Sequence, residues 1–277
     1  MAAISRLADR KPLVFGLVAL LTWIVLDALI LGVLTILFRM PIANPFVQVA
    51  GTLSATCILL LIASRLGWLH RIGLTDFGTL PTWVLTVVLA LYVVMSGFYP
   101  FFGNFTFDPR SLVDTPEARA ILLQALLVGF VEETVFRGIL LYALVRVWGQ
   151  TRRGLIASVV VQAALFGILH ASQVFFGATP AAALANVLET FIFGLGLGAL
   201  VLSVGTLWPA IVLHTVSNSF ILIKGLSSRW IDPVFLGYLG EACFELPLAL
   251  FGLWMMVKAR SVRQPAPRPM LETNLEA

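Results

Sequence analysis

Charged residues are scarce in this 277-residue chain, because Asp, Glu, Lys and Arg together make up only 12% of it. An average soluble domain contains about 25%. Hydrophobic residues reach 60% and the mean hydropathy is +0.99. So few ionisable side chains cannot cover the surface of a soluble protein of this length. The composition therefore excludes a soluble enzyme, a nucleic-acid-binding module and a disordered chain, and it predicts an integral membrane protein.

Cysteine and histidine are scarce as well. The two cysteines, Cys57 and Cys243, are too few for a disulfide framework or a thiolate metal site. Of the three histidines, His170 and His214 lie within apolar segments. Polar chemistry in this chain must therefore come from a small number of residues embedded among apolar ones.

Long apolar runs divide the chain, and a membrane-spanning helix needs about 20 such residues. The predicted spans are 13–37, 46–66, 81–104, 118–148, 154–176, 184–204, 206–224 and 234–257. We therefore expect an all-α polytopic membrane protein with about eight transmembrane helices. Its predicted parts are N-terminal helices (1–117), a core (118–222), a last helix (223–260) and a disordered tail (261–277), whose Pro and charged residues are typical of disorder.

Basic residues predict the orientation, because cytoplasmic loops carry an excess of Lys and Arg. With both termini inside, the cytoplasmic side carries Arg6, Arg10, Lys11, Arg65, Arg71, Arg146, Arg152, Arg153, Lys258, Arg260, Arg263 and Arg268. The opposite side carries Arg39, Arg110, Arg119, Lys224 and Arg229. We therefore expect both termini in the cytoplasm, in a plasma membrane of prokaryotic type.

Ionisable and amide side chains occur inside three of the predicted spans. They lie in the segments VEETVFRGIL (131–140), FGILHAS (166–172) and IVLHTVSNSF (211–220). A charge in the bilayer interior costs several kcal/mol unless it faces the protein interior or a wet cavity. We therefore expect the three helices to bring these groups together at comparable depth.

The helical period separates two roles for the paired glutamates. Glu133 and Arg137 are four residues apart, share a face and neutralise each other. Glu132 is rotated by about 100° from Glu133 and has no such partner in its own helix, which suits a group that accepts and returns a proton. His214 and Asn218 also share a face, where they are able to stabilise negative charge developing on a carbonyl oxygen.

Other interpretations of these residues stay open. Glu133 with Arg137 is also explained as an ion pair that fixes helix packing. Glu132 and Asn218 are also explained as interhelical hydrogen-bonding groups, and His170 as a core histidine. As whole proteins, the alternatives are a proton-coupled transporter and a non-proteolytic immunity or scaffold protein.

The order and spacing of three motifs resemble the CPBP family of CAAX proteases and bacteriocin-processing enzymes, which includes the type II CAAX prenyl endopeptidase. The resemblance covers about residues 118–222. The motif residues are Glu132, Glu133 and Arg137, then Phe166 and His170, then His214 and Asn218.

This resemblance implies a helical endopeptidase that hydrolyses peptide bonds within the bilayer. Its substrate would be a peptide or a membrane-protein segment. The implied catalytic residues are Glu132, which activates a water, His170, which helps to position it, and His214 and Asn218, which stabilise the oxyanion. Glu133 and Arg137 are implied to support the site.

No metal or other cofactor is expected, with zinc as the alternative. The sequence lacks His-Glu-x-x-His, the motif in which one helix presents two histidines to zinc. A catalytic zinc usually has three protein ligands and a water. The zinc alternative would therefore use Glu132, His170 and His214.

Overall fold

The computed structural model describes residues 2–98, 113–226 and 234–258, and within these ranges all the regular structure is helical. The elements are α1 (Ala2–Arg10), α2 (Pro12–Phe38), α3 (Pro45–Arg65), α4 (Leu80–Phe98), α5 (Pro116–Glu133), a π-helix (Thr134–Leu140), α6 (Leu141–Trp148), α7 (Arg152–His170), a 3₁₀-helix (Ala171–Phe176), α8 (Pro180–Val204), α9 (Trp208–Leu226) and α10 (Val234–Lys258). The predicted all-α class is confirmed.

Five helical segments of the described chain are long and apolar enough to cross a membrane. They are Pro12–Phe38, Pro45–Arg65, Arg152–Phe175, Pro180–Val204 and Leu239–Lys258. The shorter helical stretch Leu80–Met95 is also apolar. The integral-membrane architecture is therefore confirmed, whereas the count of eight spans stays a prediction. The end of the third predicted span and the predicted disordered tail lie outside the described residues.

Threonine N-caps lie at the start of three helices around the site. Thr115 accepts a hydrogen bond from Ala118 N at the start of α5. Thr151 and Thr179 cap α7 and α8 in the same way. Such caps satisfy backbone N–H groups that have no partner inside a helix.

The fourth predicted span is not one regular α-helix. Between α5 and α6, Thr134–Leu140 form a π-helix in which all seven residues are buried. A π-helical turn contains an additional residue and changes the direction of the side chains around it, and such turns are frequent at functional sites. The sequence analysis predicted a span over 118–148 and gave no sign of this π-helix, because the apolar pattern reports burial and not the hydrogen-bonding register.

Helices α7 and α8 approach closely through glycines. A Cβ atom at Gly167 would lie 2.7 Å from Val187 O, and one at Gly198 would lie 2.5 Å from Nε2 of Gln162. Gln162 uses that space to donate a hydrogen bond to Gly194 O at 2.8 Å. A buried side-chain hydrogen bond therefore links the two helices beside the site.

The start of α9 is anchored by the loop that precedes α4. The buried Thr206 hydroxyl donates to Gly73 O at 3.1 Å, and Trp208 Nε1 donates to Leu74 O at 3.0 Å. A Cβ atom at Gly73 would lie 2.8 Å from Thr206 Cα, and Gly73 has a φ of +78°, so this close approach requires glycine. These contacts set the position of α9 and hence of His214.

Candidate active site

Glu133 is the centre of a buried polar cluster. Its Oε1 accepts a hydrogen bond from Arg137 Nη1 at 2.7 Å and a second from His214 Nδ1, also at 2.7 Å. The side chains of Glu133 and Arg137 are fully buried. The structure therefore contains the ion pair expected from the sequence and adds His214 to it.

Glu132 has a different environment from its neighbour. Its side chain is 15% exposed, against 0% for Glu133, and it makes no hydrogen bond to the described residues. Its Oε2 lies 3.5 Å from Nε2 of His214. The imidazole of His214 therefore lies between two unlike carboxylates. Glu133 is buried and accepts two hydrogen bonds, whereas Glu132 is partly exposed and accepts none from the described residues.

Phe166 explains the aromatic position of the second motif. The Arg137 guanidinium carbon lies 4.3 Å from the centre of its ring, a cation–π contact. The edge-to-face contacts of Phe166 reach His170 at 4.7 Å and His214 at 5.8 Å between ring centres. One aromatic ring thus contacts the side chains of Arg137, His170 and His214 and restricts their orientations.

Phe193 is a site residue that the sequence analysis missed. Its ring lies 5.5 Å from that of His214 at an interplanar angle of 90°. It belongs to α8, whose apolar, glycine-spaced sequence gives no sign of a contact with a histidine of another helix. Only the packing of α8 against α9 places it there.

His170 ends α7 and is half-buried. Its Nδ1 lies 2.9 Å from the carbonyl oxygen of Phe166. A carbonyl oxygen only accepts, so Nδ1 must carry a proton, and the neutral ring then has an unprotonated Nε2. That nitrogen is able to accept a hydrogen bond from a water or a substrate.

Asn218 lies one turn beyond His214 on α9 and is half-buried. Its carboxamide has no hydrogen-bond partner among the described residues. Asn218 is near the cluster by its position one turn after His214, and no hydrogen bond joins it to Glu132 or Glu133.

Within residues 2–98, 113–226 and 234–258, no three His, Cys, Asp or Glu side chains converge in a way that would hold a metal ion. The zinc alternative requires Glu132, His170 and His214 to do so. In this structure Glu132 approaches His214, while His170 contacts the ring of Phe166, which in turn contacts that of His214. Both the metal-free expectation and the zinc alternative stay predictions.

The fold and the site together define a helical membrane protein with a buried cluster of two carboxylates, histidine and arginine. Residues 115–220 match the family model described as Type II CAAX prenyl endopeptidase Rce1-like. The matched segment contains all three motifs, so the resemblance seen in the sequence is confirmed, and it indicates a membrane-embedded peptidase. No curated protein and no solved structure matches the chain.

Proposed function

We propose that this protein is an intramembrane endopeptidase in which Glu132 activates the water that attacks the scissile carbonyl. The observation that supports this most directly is the position of His214 between Glu133 Oε1 at 2.7 Å and Glu132 Oε2 at 3.5 Å. Its substrate would be a peptide or a membrane-protein segment. The family match supports the class of reaction, and the geometry supports the division of roles.

The environments of the two glutamates support Glu132 as the base. Glu133 is fully buried, and one of its oxygens already accepts two hydrogen bonds from Arg137 and His214. Glu132 is partly exposed and has no hydrogen bond to the described residues. A general base must reach the proton that it removes, and only Glu132 is accessible for this.

Hydrolysis then proceeds in two proton transfers. Glu132 takes a proton from the water as the water oxygen bonds to the carbonyl carbon, which gives a tetrahedral oxyanion. When the C–N bond breaks, Glu132 returns the proton to the leaving nitrogen. The products are a carboxylic acid and an amine, and Glu132 is again ionised.

Three further side chains position and stabilise the reacting groups. The unprotonated Nε2 of His170 accepts a hydrogen bond from the attacking water. Asn218 donates to the oxyanion, as does His214 when both of its ring nitrogens carry protons. Glu133 stabilises the positive charge of that form. Glu132 carries the proton taken from the water at this stage, so the charges of His214 and Arg137 are balanced by those of Glu133 and the oxyanion.

The test is cleavage of a quenched fluorescent peptide by purified protein in liposomes, with the products identified by mass spectrometry. Two probes are used, one ending in a farnesylated Cys-a-a-X motif and one with the same sequence but no prenyl group. Glu132→Gln should lower the cleavage rate by at least about 10²-fold, because general-base catalysis contributes on this order. Glu117→Gln is the matched control, since Glu117 is exposed in the first turn of the same helix.

The alternatives give different results. A proton-coupled transporter would show proton or solute flux with no cleavage of either probe. A scaffold or immunity protein would bind its partner equally well after Glu132→Gln. Cleavage by the Glu132→Gln variant at the wild-type rate would refute the proposed role of Glu132.

A further inference from the structure

Helix α8 contains a buried carboxamide whose amide nitrogen has no partner in the described part of the chain. Asn186 is 3% exposed, and its Nδ2 makes no hydrogen bond to residues 2–98, 113–226 or 234–258. The amide nitrogen of Gln162, which is also buried, instead donates to Gly194 O. An unpaired buried donor lowers stability, and a ligand that accepts its hydrogen bond is one explanation for its presence.

Asn186 lies on a face of α8 between the faces that contact α7 and α10. Gly194 faces α7, where its Cβ would lie 3.1 Å from that of Ala163, and Gly196 faces Ala249 of α10. Asn186 is eight residues before Gly194 and ten before Gly196, so it is rotated by about 80° from each, between the two faces.

Phe193 shows which part of the protein this face of α8 approaches. Seven residues separate Asn186 from Phe193, or about two turns, so the two side chains are nearly in line. Phe193 contacts the ring of His214. Asn186 therefore lies above Phe193 on the same side of α8, about 10 Å further along the helix axis.

Helix pairing places Asn186 at the level of His170. A Cβ at Gly167 would contact Val187 O and Phe191 Cβ, while Ala163 lies beside Gly194. The two helices are thus antiparallel. His170 is three residues after Gly167 on α7, so it lies opposite residues about three positions before Val187 and Phe191 on α8. His170 is therefore opposite the turn that contains Asn186.

We propose that Asn186 is a substrate-positioning residue, whose Nδ2 donates a hydrogen bond to a backbone carbonyl of the peptide bound beside His170. This inference rests on the proposed peptidase function. A peptide must be unwound to be cut, and inside a membrane its freed carbonyl groups need donors from the protein. A neutral, desolvated N–H donor matches a neutral carbonyl acceptor and pays no further desolvation when the peptide binds.

Asn186→Leu separates this role from a structural one. The substitution removes a donor that is unpaired in the substrate-free protein, so thermal stability in detergent should be unchanged or higher. Peptide affinity should fall by about 3- to 10-fold, the range expected for one neutral hydrogen bond. In the cleavage assay, KM should rise by a similar factor with little change in kcat.

Affinity is measured in the Glu132→Gln background with the farnesylated Cys-a-a-X peptide, which then binds without being cut. Gln124→Leu is the matched control, because it also replaces a carboxamide on a helix of the bundle with an apolar side chain. Gln124 Nε2 already donates to Thr52 Oγ1 at 2.8 Å between α5 and α3. Gln124→Leu should therefore lower stability and leave the peptide Kd unchanged.

Asn186→Ala is made alongside Asn186→Leu, so that poor folding of one variant does not decide the result. Lower stability of both variants with unchanged peptide affinity would assign Asn186 a structural role and overturn the proposal. If the wild type cleaves the peptide but Asn186→Leu changes neither Kd nor KM, the proposal fails while the peptidase function stands. If the wild type neither binds nor cleaves either probe, the proposed function fails and this inference falls with it.

Discussion

Replacing Glu133 with glutamine should destabilise the protein far more than the same change at Glu132. Glu133 is fully buried and accepts two hydrogen bonds of 2.7 Å, from Arg137 and from His214. Neutralising it leaves the Arg137 guanidinium charged and unpaired in a low-dielectric interior. Removing one partner of a buried ion pair costs about 3–5 kcal/mol, a large part of the roughly 5–15 kcal/mol that stabilises a typical domain.

Unfolding of the purified variants in mixed micelles with increasing SDS provides the measurement. Glu133→Gln should unfold at a much lower SDS fraction than the wild type and should also be less active and lower in yield. Glu132→Gln should unfold near the wild-type midpoint, because Glu132 has no hydrogen bond to lose among the described residues.

A double variant tests whether the unpaired charge of Arg137 causes the loss of stability. Glu133→Gln combined with Arg137→Met removes both charges, and a buried pair replaced by neutral groups often costs little stability. We therefore expect the double variant to recover much of the stability lost in Glu133→Gln, which gives a coupling energy between the two positions. Activity should not recover, since His214 would still lack its carboxylate. If Glu133→Gln is well folded but inactive while Glu132→Gln retains activity, the roles of the two glutamates are reversed.

Three further outcomes are expected. Gly167→Ala should destabilise the protein by about 1–3 kcal/mol, because its Cβ would lie 2.7 Å from the backbone oxygen of Val187, whereas Gly32→Ala has open space and should cause no loss when both are compared by SDS unfolding. Reporter fusions at the two ends should both report a cytoplasmic location, and an external signal from either end would refute the predicted topology. Cleavage activity should survive exhaustive chelation; stoichiometric zinc found by elemental analysis, with activity lost on its removal and restored on its return, would make Glu132, His170 and His214 its ligands.

Composition and the apolar runs predicted the membrane class and the helical segments, because burial in lipid demands a long apolar helix whatever the tertiary structure. The paired residues Glu133 and Arg137 were also predictable, since contacts four residues apart depend only on local geometry. The cost of intramembrane charge identified His170 and His214 as residues that need a protein environment.

Contacts between helices were not predictable from one sequence. The helical period placed His214 with Asn218 on one face, but it gave no sign that Glu133 would bind Nδ1 of His214 from a helix 81 residues earlier. The π-helix at Thr134–Leu140 was also missed, because its register depends on the packing of seven buried side chains.

The sequence by itself determined which residues are apolar enough to span the bilayer and which polar groups the protein must enclose within it. Both depend on the free energy of transferring single side chains into lipid and on local helical geometry. Only the tertiary structure decided that His214 lies between two unlike carboxylates, that Phe166 and Phe193 contact its ring, and that Asn186 lies on the same face of α8 as Phe193 with its amide nitrogen unpaired among the described residues. These arrangements depend on how separate helices pack against one another, and neither hydropathy nor helical period contains that information.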